Sequence, residues 1–135
     1  MKVAVRYFSR VGNTKKLAKA VSEASGVPAL PVSQNLKEDV DILFFCSALY
    51  AGHVDPAVKK FIRENHSQIG KVVNVSISSS NKSTYPIVKE LFAEKGVPLA
   101  REEYHCRGSF LIFRRTHPNE EDLAELRKFV RDIVS

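Results

Sequence analysis

Cysteine, long apolar runs and early acidic residues are all scarce in this 135-residue chain. Its two cysteines, Cys46 and Cys106, form no CxxC pair and stand far apart, which excludes a disulfide framework. Both fall in segments that read as strands, where buried free thiols are expected. No apolar run approaches the ~20 residues of a membrane span. Met1–Arg6 is too short and too charged for a signal peptide, so a cytoplasmic location is expected. His53, His66, His105 and His117 are dispersed without ligand spacing, so no metal site is expected. There is no Lys/Arg-rich run, zinc-finger spacing or RNP-like aromatic motif, which argues against nucleic acid as a partner. Nor is a nucleophile–base pair legible, because His105 and Cys106 are neighbours on a strand and point to opposite faces.

What is present is ordinary for a globular protein: 44% hydrophobic and 27% charged residues, with a net charge of +6. The length suits one domain over residues 1–135, and no repeat or linker divides it. The charge is unevenly placed. Lys2, Arg6, Arg10, Lys15, Lys16 and Lys19 all precede the first acid, Glu23. A surface of this kind steers anionic ligands or acidic partners.

Strand and helix patterns alternate along the chain. Lys2–Phe8 is β-branched and aromatic and reads as a strand. From Asn13 the period changes: Leu17, Ala20, Val21 and Ala24 recur as a helical stripe, closed by Gly26. Val27–Val32 contains prolines and suits an edge strand. Asp41–Cys46 is almost continuously apolar, as a strand covered on both faces must be. Asp55-Pro56 supplies an N-cap and a proline at the first helical position. The helix it starts turns Val58, Phe61 and Ile62 inward and is expected to end near Gly70.

Lys71–Ser78 reads as the fourth strand, and the next helix shows Ile87, Val88, Leu91 and Phe92 on one face before Gly96-Val97-Pro98. Glu103–Cys106 and Ser109–Phe113 suggest a fifth strand broken at Gly108. Asn119 caps the last helix, with Glu120, Glu121 and Asp122 in its first turn and Leu123, Leu126, Val130 and Ile133 buried. Five strands interleaved with four helices predict an α/β fold, a parallel sheet with helices on both faces.

Ligands of such sheets bind beyond the carboxyl ends of the strands. Four loops lie there: 9–14, 47–54, 78–85 and 107–118. The first reads Ser9-Arg10-Val11-Gly12-Asn13-Thr14 and joins the first strand to the first helix. Unpaired amides of the helix start, with the hydroxyls of Ser9 and Thr14, would cradle a phosphate. Gly12 removes a Cβ that would block close approach, and Asn13 is placed to cap the helix, to contact the ligand, or both. Ser, Gly, Asn and Thr are also common turn and cap residues.

Tyr7-Phe8-Ser9-Arg10-Val11-Gly12-Asn13-Thr14 resembles the FMN-phosphate loop of flavodoxins, Thr/Ser-x-Thr-Gly-x-Thr. The order and length of the elements are similar too, and fit a short-chain flavodoxin over nearly the whole chain. The resemblance implies a flavodoxin-like three-layer sandwich with a five-stranded parallel sheet of order 2-1-3-4-5 and FMN at its carboxyl edge. Ser9, Gly12 and Thr14 match the motif. Val11 departs from it, since a hydroxyl residue is usual there, and Arg10 stands where its charge could offset that loss. The resemblance further implies that Ala48, Leu49, Tyr50, Ala51 and Gly52 cover one flavin face. Tyr50 would be the stacking ring and Ala51-Gly52 a peptide able to turn toward flavin N5. Ser78, Ser79, Ser80 and Asn81 would meet the pyrimidine edge, with Asn81 or Ser83 alternatively capping the following helix. Tyr85 is the nearest candidate for a second stacking ring.

The function so implied is that of an FMN-binding electron carrier serving redox partner proteins, with acidic docking faces suited to its positive charge, and monomeric or weakly dimeric. Two alternatives stay open: a small FMN-dependent reductase or oxidase acting on a quinone or similar substrate, and a flavin-free binding domain.

Overall fold

The computed structural model describes residues 1–8, 12–48, 55–78, 83–107 and 119–135. Five strands, β1 (Val3–Tyr7), β2 (Ala29–Pro31), β3 (Val40–Ala48), β4 (Ile69–Ser78) and β5 (Leu99–Arg107), form one sheet of order β2-β1-β3-β4-β5. Every pairing is parallel. Four α-helices connect or follow them: α1 (Asn13–Ser25), α2 (Pro56–Asn65), α3 (Tyr85–Ala93) and α4 (Glu120–Val134). This is the parallel α/β fold that the alternating patterns predict, with the 2-1-3-4-5 strand order that the resemblance to flavodoxins implies.

The sheet separates two apolar layers. On one face Val5, Ile42, Phe44, Val73 and Val75 meet Leu17 and Val21 of α1 and Leu126 and Val130 of α4. On the other, Leu43, Phe45 and Val72 meet Phe61 and Ile62 of α2 and Val88 and Phe92 of α3. Residues 42–46 of β3 are all buried, and they alternate between the two layers. A central strand covered on both sides has no polar face to spare, which is why its sequence is continuously apolar.

Local signals explain most boundaries. Asp55 accepts a hydrogen bond from the Ala57 amide at 2.9 Å, with Pro56 opening α2. Asn119 accepts from the Asp122 amide at 2.9 Å while Asp122 accepts from the Asn119 amide at 2.9 Å, a reciprocal capping box. Replacing Asn119 by Ala removes one half of it, and denaturant titration should show a loss of ~1 kcal/mol.

Two boundaries differ from expectation. α2 stops at Asn65, a single 3₁₀ turn covers His66–Gln68, and Gly70 lies inside β4 rather than ending the helix. Asn65 is fully buried and explains the stop. Its Oδ1 accepts from the Leu36 amide, and its Nδ2 donates to Phe61 O and Asn35 Oδ1. Gly70 is required by crowding, since a Cβ there would stand 2.9 Å from the carbonyl oxygen of Asp41 on β3. Gly70→Ala should therefore cost ~1–3 kcal/mol, read as a lowered thermal midpoint. β5 begins at Leu99, ahead of Glu103, with a register irregularity opposite Val72–Asn74. Arg101 and Glu102 are exposed on this edge strand, so hydrophobic pattern does not reveal its first half. The expected turn at Gly108 and continuation over 109–113 lie outside the described residues.

Arg6 is the least expected core residue, 5% exposed. Its guanidinium donates to Val5 O (2.9 Å), Gln34 O (2.8 Å) and Asn35 O (3.1 Å). Desolvation pushes its pKa down. Together with Asn65 it pins the chain returning from β2 to β3.

Candidate functional site

β1, β3 and β4 deliver their carboxyl ends to one edge of the sheet, and α1 and α3 begin there. Gly12 is the N-cap residue of α1, held at φ +89°, and being glycine it offers no capping side chain of its own. A Cβ on Gly12 would meet nothing within 4 Å among the described residues, so the positive φ rather than crowding is what calls for glycine there. Asn13 is the first helical residue and makes no cap, contrary to one of its two expected roles. Lys16 N donates to Gly12 O at 3.2 Å, and helix geometry leaves the preceding amides of the turn without intrahelical acceptors.

Thr14 adds the most informative detail. It is 1% exposed, and its Oγ1 has no hydrogen-bond partner among the described residues. A buried, unsatisfied hydroxyl costs ~1–3 kcal/mol, so it calls for an explanation. An anion seated on the amides of this turn supplies one. The first turn of α1 contains no acid, whereas α4 opens on Glu120, Glu121 and Asp122. Cations at the positive end of a helix are unfavourable unless a negative charge joins them. The orphaned hydroxyl and the acid-free turn both fit a phosphate.

A second polar cluster ties the neighbouring loops from below. Ser47 of β3 shares a hydrogen bond with Thr84 across 3.1 Å, and Asn74 of β4 donates to Thr84 Oγ1 at 3.0 Å. All three are buried. The start of the loop after β3 is thereby fixed to the end of the loop after β4. Ser83 continues the network: its Oγ accepts from the Tyr85 amide (2.9 Å) and donates to Glu103 of β5. Ser76 Oγ lies 3.2 Å from Ser83 Oγ and 2.8 Å from His105 Nδ1. Since Ser83 gives its one proton to a carboxylate, Ser76 donates to Ser83, and His105 Nδ1–H donates to Ser76. Ser83, one of the two residues read as a cap, does hold the start of α3. Tyr85 directs its hydroxyl to Ala100 O at 2.9 Å, which places its ring under α3 against β5.

Among the residues singled out from sequence, the structure brings Gly12, Asn13 and Thr14 to the start of α1 and Ala48 and Ser78 to the ends of β3 and β4. Ser9, Arg10, Val11, Leu49, Tyr50, Ala51, Gly52, Ser79, Ser80 and Asn81 lie outside the described residues. Sequence reasoning missed Ser47, Asn74, Ser76, Thr84 and Glu103. A signal existed in β4, where Asn74 and Ser76 alternate with Val73, Val75 and Ile77. That period of two sets a polar stripe on one face of the strand within its buried stretch, Val72 to Ile77. Cys46 is a buried free thiol as expected, its pKa pushed up by desolvation. Among the described residues no cluster could hold a metal ion, and no helix is long and apolar enough to cross a membrane.

Residues 4–97 match the family model of the flavodoxin domain, and the chain belongs to that family. It is 26% identical over 153 aligned positions to an uncharacterized protein of Methanocaldococcus jannaschii, with 99% of each chain covered. Its fold is similar to a flavodoxin from the domain Archaea, at TM-score 0.74 and 18% identity, covering 98% of this chain and 96% of that one. It is also similar to a short-chain flavodoxin associated with a bacterial microcompartment, at TM-score 0.72 and 21% identity over 99% and 97% of the two chains. Flavodoxin 2 from Bacillus cereus superposes at TM-score 0.68 with 17% identity, covering 96% and 95%.

Proposed function

We propose that residues 1–135 form one domain that binds FMN at the carboxyl edge of the sheet and carries electrons between redox proteins. The observation that carries this reading is Thr14, a buried hydroxyl in the first turn of α1 without a partner among the described residues. Thr14, the amides following Gly12, and Ser9 would hold the phosphate, with Arg10 and Lys15 supplying positive charge and Val11 and Asn13 completing the loop. Residues 48–52 would cover one face of the ring and 78–81 would meet its pyrimidine edge. The Ser47–Thr84–Asn74 bonds support this role, because they tie the end of β3 to the segment that closes the loop after β4, and the Ser76–Ser83–Glu103 bonds anchor that segment to β4 and β5.

Bound FMN supplies one- and two-electron chemistry, and the protein sets its orientation and exposure. Positive charge near the site favours a reduced, anionic flavin, so the protein should be less reducing than an acidic carrier of the same fold. The net charge of +6 suits partners with acidic docking faces.

The test is titration of apoprotein with FMN, followed by flavin fluorescence and the visible bands of oxidised flavin. Quenching with a single stoichiometric end point is expected. Unquenched flavin at equimolar protein would overturn the reading in favour of a flavin-free domain. Turnover of NAD(P)H or a quinone by holoprotein alone would replace the carrier with an enzyme.

A further inference from the structure

Next to the start of α1 lies a cavity of about 480 Å³, between that helix and β2. Its floor is apolar: half-buried Tyr7 and Ala29, with Pro28 beside them. Its rim is cationic, formed by Lys15, Lys16 and Lys19. All three lysines are exposed, and none has an ion-pair partner among the described residues. Glu23, one turn beyond Lys19 on α1, is paired with Arg127 at 3.4 Å. Lys15 and Lys19 stand one turn apart on the same helix face, where like charges repel, and Lys15 and Lys16 sit at the positive end of the helix. Two local rules are therefore broken in the sense that a bound anion would relieve. An inorganic ion would neutralise the rim and leave the floor bare. A flat heteroaromatic group carrying phosphate satisfies both, and the volume is within the usual range of small-molecule sites.

We propose that this cavity binds an adenosine phosphate. Gly12 lines the cavity and also opens the phosphate turn of α1, so the two sites are continuous. The adenosine phosphate then has two sources. It is the adenylate half of flavin adenine dinucleotide, whose first phosphate lies at Thr14, or it belongs to a separate adenine nucleotide bound beside FMN. The inference rests on the flavin reading only for the position of that first phosphate.

Two titrations separate the sources. Apoprotein is titrated with FMN and with FAD by fluorescence, and FMN-loaded protein is titrated with ADP by calorimetry. A joined ligand gives FAD at least tenfold tighter binding than FMN. A separate ligand gives saturable ADP binding to the FMN-loaded form with no advantage for FAD. In either case Lys19→Glu, two turns from Gly12, should abolish the FAD advantage or weaken ADP at least tenfold while FMN affinity stays within twofold. The proposal is overturned if FAD gains nothing and ADP does not bind, if pyrophosphate binds as well as ADP, or if Lys19→Glu changes neither. Apoprotein that binds ADP but neither flavin would sink the FMN reading and leave this one standing.

Discussion

Thr14→Val should weaken FMN binding by about 10- to 150-fold while making the apoprotein more stable, a pair of effects with opposite signs. The first follows from losing a hydroxyl bonded to a charged acceptor, worth ~1.5–3 kcal/mol. The second follows because the same hydroxyl is buried without a partner among the described residues, and valine fills its shape without that penalty. Removing the unsatisfied group should raise apoprotein stability by ~1 kcal/mol or more, a few degrees in thermal midpoint. Fluorescence titration and thermal unfolding of the apoprotein check the two halves separately. A variant that lost affinity and apoprotein stability together would show Thr14 to be a packing residue. Such a result would remove the main support for a phosphate at this turn.

The largest loss of stability is expected at Phe45. It is fully buried on β3, with ring centroids 6.5 Å from Phe61 at an interplanar angle of 25° and 5.5 Å from Phe92 at 80°. Truncating such a side chain removes its transfer energy, leaves a cavity and deletes two aromatic contacts. Phe45→Ala should therefore cost ~3–5 kcal/mol. Against a typical total of ~5–15 kcal/mol this is a severe defect, visible as a lower denaturant midpoint with an unchanged slope. Ser47 lies two residues further on the same strand, on the same face as Phe45. The layer that Phe45 holds together also positions the Ser47–Thr84 bond, so flavin affinity should fall with stability in this variant. Restoring volume with Phe45→Leu should recover part of both.

Sequence and structure agree most closely where one signal dominates. β3 was legible because an unbroken apolar run between polar ends leaves few alternatives to a doubly covered strand. α2 and α4 were legible at their starts because Asp55-Pro56 and Asn119 with Asp122 are local devices, complete within a few residues. The end of α2 was not, because Asn65 stops the helix through bonds to Asn35 and Leu36, about thirty positions away in the chain. Gly70 misled for a related reason. Its glycine is demanded by a neighbouring strand rather than by a helix end. In the candidate site, the first loop was legible from its small polar residues and its place after a strand. The supporting bonds of Ser76, Ser83, Glu103 and His105 were not, since they join three segments that only the sheet brings together.

The short outer strand β2 also governs how the molecule meets copies of itself. Val32 N donates inward to Tyr7 O at 2.9 Å, so alternation along the strand turns the backbone nitrogens of Ala29 and Pro31 toward the open side. Proline at the second of these positions costs the sheet no bond and deletes a donor that a foreign strand would need. With three residues and one missing donor, this border is a poor template for edge-to-edge growth, and aggregation through it is disfavoured at no expense to the fold.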